Sequence, residues 1–496
     1  MAEFELKFEL APAAHAAFRR LSALGGAAPR SARLHAMYFD TPDFALRKRE
    51  MALRLRRTGK SWAQCLKAGR SGAGGWHARE EWEFARPEPS LDLALFSDTP
   101  LGREPALDER LVEIFRVDVR RTTWQVEPSP GNRLEVALDR GEVARLGDAE
   151  AVAEVEIECL EGDPLAAFEL AERLIDAAPL RPSAVTKAQR GYRLARGEPL
   201  APARARPASL EPAMAPPVAA RAVAAAALEQ LQANEPGVLG HDDPEYLHQF
   251  RVALRRLRSA LRTFRTALEP QFLAQAGDEL RWIAALTGPA RDWDVLATQT
   301  LPAMLEAHGA ARSAQSVRLR VAVRRDSARA QLREALGSPR YARLVLRLAR
   351  WLATPAAALQ PPAEPLADFA LRIVAKRHKR LVADARKLSA LTPAERHELR
   401  LDAKRLRYAV EGFAPLLRRG RVAAYLEALS EIQDDLGHAN DAAVAARLLG
   451  EIALPAAFGH FARGWLAAHA HASASGIERH GARLAAARTL KVRGQV

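Results

Sequence analysis

The sequence predicts two domains of different class: a strand-rich α+β domain over residues 1–197 and an all-helical domain over 218–490. Three observations carry this. Short runs that alternate charged and apolar residues recur through the first part, as in strands with one wet face. Beyond residue 217 the chain is rich in Ala, Leu and Arg with an apolar period near 3.6, as in helices. Between the two, "EPLAPARARPASLEPAMAPP" (198–217) has no apolar period and reads as a semi-rigid linker.

Composition narrows the function. At 496 residues each part is long enough to bury its own core, and 48% hydrophobic with 27% charged residues is the balance of a soluble globular protein. No apolar run approaches the ~18 residues of a membrane span, and the N-terminus lacks the layout of a secretory signal. Two cysteines, Cys65 and Cys159, make no disulfide framework, so a reducing cytoplasm is expected. Charge is divided unevenly. Residues 1–200 carry a net −2 and residues 201–496 a net +16, so the second part is suited to a polyanion.

The first strand, "EFELKFEL" (3–10), sets Glu3, Glu5, Lys7 and Glu9 on one face and Phe4, Leu6, Phe8 and Leu10 on the other. The pattern recurs. Arg54 and Arg56 share a face in "LRLR", and Lys67 ends "QCLK". Glu81 and Glu83 share a face in "REEWE", Glu135 and Asp139 in "LEVALD", and Glu154, Glu156 and Glu158 in "EVEIE". One helical run, "PLAAFELAERLIDAA" (164–178), interrupts the strands. Two architectures fit: a barrel with a charged lumen and an apolar outer wall, or a sandwich with a salt-bridged outer face. In a barrel, the carboxylates would hold a divalent cation and the bases would grip a phosphate chain, the ingredients of metal-assisted phosphoanhydride cleavage.

"EFELKF" resembles the Glu-x-Glu-x-Lys signature of the CYTH family, also called triphosphate tunnel metalloenzymes. The likeness continues in order through "YFDTPDFALRKREMALRLRR" (38–57), Lys67, "REEWE" (79–83), "VRRTTW" (119–124), "EVALDRGEV" (135–143), "EVEIECLEGD" (154–163) and "KAQRGYRL" (187–194). The resemblance implies an eight-stranded antiparallel β tunnel with flanking helices that takes triphosphates with Mg²⁺ or Mn²⁺. It implies Glu3, Glu5, Glu154 and Glu156 on the metal side, and Lys7, Arg54, Arg56, Arg121, Lys187 and Arg190 as phosphate clamps. Lys67 falls where the family places a lysine near the attacking water, and Glu81 and Glu83 are expected to orient the cations or join the metal shell. The reach of Glu158 is left open.

The helical part repeats itself. "HQFRVALRRLRSALRTF" (248–264) lies over "HELRLDAKRLRYAVEGF" (397–413) with seven identities in 17 positions, and the same offset of 149 sets "GPARDWDV" over "GHANDAAV". A constant offset across separate blocks predicts two pseudo-symmetric helical bundles. In the first copy His248, Arg251, Arg255, Arg258 and Arg262 fall within an arc of about 80°. The second copy offers His397, Arg400, Lys404 and Arg407, with Glu411 where the fifth base would be. Like charges so crowded repel unless an anion lies on them.

These blocks resemble the CHAD family of helical domains over roughly 215–490, which implies a basic cavity that binds inorganic polyphosphate. The expected protein is therefore a tunnel enzyme that hydrolyses inorganic triphosphate to pyrophosphate and phosphate, joined to a polyphosphate-binding helical domain. Cytoplasm is its expected location, with polyphosphate granules a further site. Three other readings remain: a tunnel acting on an organic triphosphate (thiamine triphosphatase or adenylyl cyclase), a weakly catalytic polyphosphate binder, and nucleic-acid binding. The basic stripes lack the aromatic platforms usual for single strands, which disfavours the last.

Overall fold

The computed structural model describes residues 2–25, 28–69, 74–104, 110–309, 311–354, 364–387, 390–486 and 490. The chain divides into two compact units. One holds Met1–Pro202 together with Leu336–Thr354, the other Ala203–Ala335 and Pro355–Val496.

In the first unit eight strands close into a barrel. They are β1 (Ala2–Glu9), β2 (Arg30–Asp40), β3 (Met51–Thr58), β4 (Ser61–Ala68), β5 (Trp76–Arg86), β6 (Val112–Ser129), β7 (Asn132–Arg145) and β8 (Asp148–Glu161). Antiparallel neighbours run β5-β4-β3-β2-β6-β7-β8-β1, and β1 pairs back onto β5, which closes the ring and leaves no long edge. A two-residue β9 (Arg181–Pro182) adds to the end of β1. The eight-stranded antiparallel tunnel is thus present, and the sandwich is not.

The alternation sets the two faces. Leu6 and Phe8 of β1 and Leu10 just after it point outward, with Leu134, Val136, Leu138, Val155 and Ile157 of β7 and β8, into a core shared with helix α3 (Ala166–Ala177). Two one-turn helices, α1 (His15–Phe18) and α2 (Ala45–Lys48), lie in the loops after β1 and β2. Helix α4 (Lys187–Ala195) opens on a capping box in which Thr186 and Gln189 satisfy each other's backbone amides. It packs on β6, β7 and β8, and a Cβ at Gly191 would lie 2.1 Å from the Phe115 ring, so only glycine allows this approach.

The first unit also takes a helix from far along the chain. In α10 (Pro339–Ala353), Ala342, Leu346 and Ala349 join the core beside α3. Arg343 Nε donates to Asp176 at 2.9 Å and Arg350 to Glu169 at 3.3 Å on either side of that seam.

The second unit is all helix: α5 (Pro216–Gly240), α6 (Pro244–Thr263), α7 (Pro270–Val295), α8 (Leu301–His308), α9 (Ala311–Leu336), α11 (Leu366–Ala385), α12 (Pro393–Phe413), α13 (Arg419–Gly450) and α14 (Ala456–Ala486). Helix α5 begins at Pro216, inside the stretch read as linker. The offset of 149 carries α5, α6, α7 and α9 onto α11, α12, α13 and α14, and the N-cap Asp243 of α6 onto the N-cap Thr392 of α12. In sequence α10 falls between the two copies, and it belongs to neither. The repeat mates pack on each other, α6 on α12 and α7 on α13. Phe264 stacks on Phe369 and meets Phe413 edge-on in the shared core. No helix among the described residues is long and apolar enough to cross a membrane.

Candidate active site and basic helix seam

Register brings the charged faces together inside the barrel. Lys7 stands opposite Glu156 and Glu5 opposite Glu158 across β1 and β8. Arg121 faces Asp139 across β6 and β7, and Lys67 faces Glu81 across β4 and β5. These side chains line a cavity of about 340 Å³.

One wall is a buried ion network. Asp139, Glu154 and Glu156 lie with ligand oxygens within 4.8 Å of one another. Lys7 Nζ donates to Glu156 at 2.6 Å and to Glu154 at 3.2 Å. Lys187, from the start of α4, pairs with Asp139 at 2.6 Å and with Glu154 and Glu156, and Arg121 bridges Asp139 and Glu156. Burial opposes the charges of Lys7, Arg121, Asp139, Glu156 and Lys187, yet their partners outweigh it. The carboxyls of Asp139 and Glu156 are held below the usual carboxylate range by Lys187 and Arg121, with Lys7 also acting on Glu156. The ammoniums of Lys7 and Lys187 are raised above theirs.

The opposite wall is less enclosed. Lys67 Nζ lies 3.0 Å from Glu81 Oε2, Arg54 reaches Glu81 at 3.3 Å, and Arg56 pairs with Glu83 at 2.9 Å. The Cys65 thiol donates to Glu81 at 2.8 Å, and burial pushes its pKa up to about 12, so it is an inert donor here. Glu158 differs from the other acids. Burial, with Glu5, Glu135 and Glu81 nearby, pushes it up to about 7 against the pull of Lys67.

The wall carries Glu5, Lys7, Arg54, Arg56, Lys67, Glu81, Glu83, Arg121, Glu156 and Lys187, all expected from the sequence. Glu154 sits behind it, fully buried, and reaches the cavity only through Lys7 and Lys187. Arg190 is not on the wall. It lies about one turn further along α4, where Glu9, Glu150 and the Ala151 carbonyl hold it. The side chains of Glu3 and His397 lie outside the described residues. Sequence reasoning missed Asp139, Tyr38 and Thr186 as wall residues and left Glu158 undecided. The shared parity of Glu135 and Asp139 was the available signal for Asp139. The lumen is also not charged throughout, since Leu34, Ala36, Val117 and Val119 make its β2–β6 side apolar.

In the second unit the basic residues gather where α6 meets α12. The Arg255 guanidinium lies 5.1 Å from the Tyr408 ring centroid, and Arg251 Nη1 reaches Thr287 Oγ1 at 3.3 Å. Burial, with Arg400 and Arg255 close by, pulls Lys404 down to about 8. Burial and Arg291 likewise disfavour the imidazolium of His248. The stripe of five bases does not stay together. Further along α6, Arg258 stands beside Arg262 and Arg281, and Arg262 beside Arg377, because a 20-residue helix of about 30 Å changes neighbours along its length. Glu411 accepts from Arg407 at 2.8 Å and pairs with Arg256 at 3.6 Å, so it neutralises part of the second copy's charge.

Comparison with known proteins agrees with both halves. The family model of the CYTH domain matches residues 1–192, and that of the CHAD domain matches residues 222–450. The closed strand order and its charged cavity define a tunnel of the CYTH class. The chain is a CYTH domain followed by a CHAD domain. An inorganic triphosphatase of Haemophilus influenzae is 30% identical over 159 residues, a match spanning 32% of this chain and 44% of that protein. The CHAD domain crystal structure from the plant Ricinus communis is 37% identical, with a TM-score of 0.53 over 59% of this chain and 99% of that one. A putative adenylyl cyclase from Hippeastrum, described as having dominant triphosphatase activity, is 23% identical over 40% of this chain and 97% of its own. Its TM-score to this chain is 0.31.

Proposed function

We propose that the tunnel hydrolyses inorganic triphosphate to pyrophosphate and phosphate with a divalent cation, Mg²⁺ or Mn²⁺, and that the helical unit binds inorganic polyphosphate. One observation carries the first half. The cavity wall holds six basic and six acidic side chains. A site for a bare anion needs only the bases, whereas equal numbers of acids call for a cation bound with it. Glu5 and Glu158, directly opposite in register, and Glu156 beside them are suited to hold that cation. When bound, the cation would polarise phosphoryl oxygens and neutralise charge on the leaving group.

The chain's own groups divide the remaining work. Arg54 and Arg56 offer planar forks to non-bridging phosphate oxygens from one wall, and Arg121, Lys7 and Lys187 add charge from the opposite one. Lys67 orients the attacking water by donating to its lone pair. The water's proton then needs an acceptor, and Glu81, in contact with Lys67, is within reach. No P-loop motif accompanies the tunnel, and Leu34, Ala36, Val117 and Val119 leave few polar groups on the β2–β6 side to read an organic group. In the helical unit Arg251, Arg255, Arg400 and Lys404 converge at the seam of the two repeats, and their mutual repulsion is relieved by a polyanion. Separation of function tests the pairing. Glu5→Gln is expected to abolish triphosphate turnover and keep polyphosphate binding, and Arg255→Glu with Lys404→Glu to do the reverse. If each variant loses both properties, the two-module reading fails.

A further inference from the structure

The second unit contains a cavity of about 150 Å³ that the phosphate chemistry above does not use. It lies against the crossing of α6 and α12, with α5 and residues 205–208 forming its other sides. Four pairs of repeat mates line it: Ser259 and Tyr408, Ala260 and Ala409, Thr263 and Gly412, Phe264 and Phe413. Two of these pairs are unequal. Where the first copy has Thr263 the second has Gly412, and a Cβ built there meets nothing within 4 Å. The loss of that side chain leaves an open slot beside the Tyr408 and Phe413 rings.

The chemistry of the slot is mixed in an informative way. Its floor is alanine, valine and aromatic carbon, which suits a flat, apolar ring. Its rim carries the Arg256–Glu411 pair, at 3.6 Å, which offers a donor and an acceptor side by side. Arg206 also lines it, and Arg255 covers the Tyr408 ring that forms one wall. Ser259 and Tyr408 each follow the bases Arg255 and Lys404 by one helical turn, about 6 Å along the axis. A flat ring with hydrogen-bonding edges, joined to phosphates a few ångströms away, is the outline of a nucleotide. We infer that this slot binds the base of a nucleoside polyphosphate, edge to Arg256 and Glu411 and face to Tyr408, with its phosphates on Arg206 and Arg255. Nucleotide bound there competes with polyphosphate for the same bases, so the helical unit reads nucleotide level against polyphosphate. The inference rests in part on the reading that the seam binds phosphate.

Calorimetry at one fixed salt concentration tests it with three probes, ADP, pyrophosphate and long-chain polyphosphate, on the full chain carrying Glu5→Gln; the same chain with Arg255→Glu and Lys404→Glu added gives the tunnel's own binding, which is subtracted. ADP is expected to bind at least tenfold more tightly than pyrophosphate and to weaken polyphosphate binding. Gly412→Leu, which fills the slot without removing a contact and improves helix propensity, is expected to bring ADP down to the level of pyrophosphate while polyphosphate still binds. ADP binding no tighter than pyrophosphate, with polyphosphate bound, would overturn the slot alone. No difference between the two chains for any of the three probes would overturn the phosphate reading of the seam as well. An ADP advantage that survives Gly412→Leu would place the base elsewhere and also overturn the inference.

Discussion

The Lys187 ammonium lies 2.6 Å from Asp139 Oδ2, a carboxylate with no exposure to water. The pair joins the first residue of α4 to the middle of β7, so the helix is fastened to the tunnel wall by a charge contact as well as by the Gly191–Phe115 approach. Asp139→Asn leaves the Arg121 fork and Lys187 sharing two carboxylates instead of three. It is expected to lower the stability of the first unit by about 1–3 kcal/mol. Urea unfolding, with turnover measured on the same samples, checks this.

The same network sets an acid limit. Asp139 and Glu156 are held below their ordinary values in the folded protein, so their contribution is fully present above the unfolded carboxyl range of about pH 4. It is lost as pH falls through the folded values. Lys7 and Lys187 are raised, so their contribution is present below the unfolded lysine value of about 10.4 and is lost as pH rises through the folded ones. Glu158, raised to about 7, adds a contribution that is full below the unfolded carboxyl value and is lost as pH rises through about 7. Unfolding midpoints of the first unit are therefore expected to decline gently from about pH 5 to 7, to level off to about pH 9, and to fall steeply at the acid and alkaline extremes.

Lys404 predicts a pH dependence of a different kind. It lies at about 8, held there by burial and by Arg400, Arg255 and Arg251 against the pull of Asp441. Its charge is present below that value and lost above it, so polyphosphate affinity is expected to drop between pH 7 and 9. Lys404→Arg, which stays charged, is expected to flatten the profile. An unchanged slope in that variant would remove Lys404 from the binding surface.

Helix α10 gives a prediction about stability rather than chemistry. Leu346 is 1% exposed in the core it shares with α3. Leu346→Ala is expected to cost about 2–5 kcal/mol and to speed amide exchange in α3. Exchange unaltered in α3 would show that α10 does not stabilise the first unit.

Much of this architecture was legible because period two and register act together. Once β1 alternates, Lys7 and Glu5 must share a face, and antiparallel pairing then sets them opposite Glu156 and Glu158. The helical repeat was legible for a similar reason, as identities at one offset survive in the residues that pack the core. What the sequence hid was tertiary in origin. Nothing local marks α10 as a helix for the tunnel, since its amphipathic face looks like that of any bundle helix. Arg190 resembles a clamp by position, yet Glu9 and Glu150, from two other strands, capture it. The gap at Gly412 is visible only once α12 is laid against α6 and α5.

The central claim is that the tunnel cleaves triphosphate with the help of a divalent cation. The most direct measurement is phosphate release by the purified protein with and without Mg²⁺ or Mn²⁺, offered triphosphate, ATP, thiamine triphosphate and long-chain polyphosphate in parallel. The account predicts rapid, cation-dependent release from triphosphate that Glu5→Gln abolishes, with the organic triphosphates far slower. No release from triphosphate with either cation would contradict it, and the charged barrel would then be an anion-holding site without turnover.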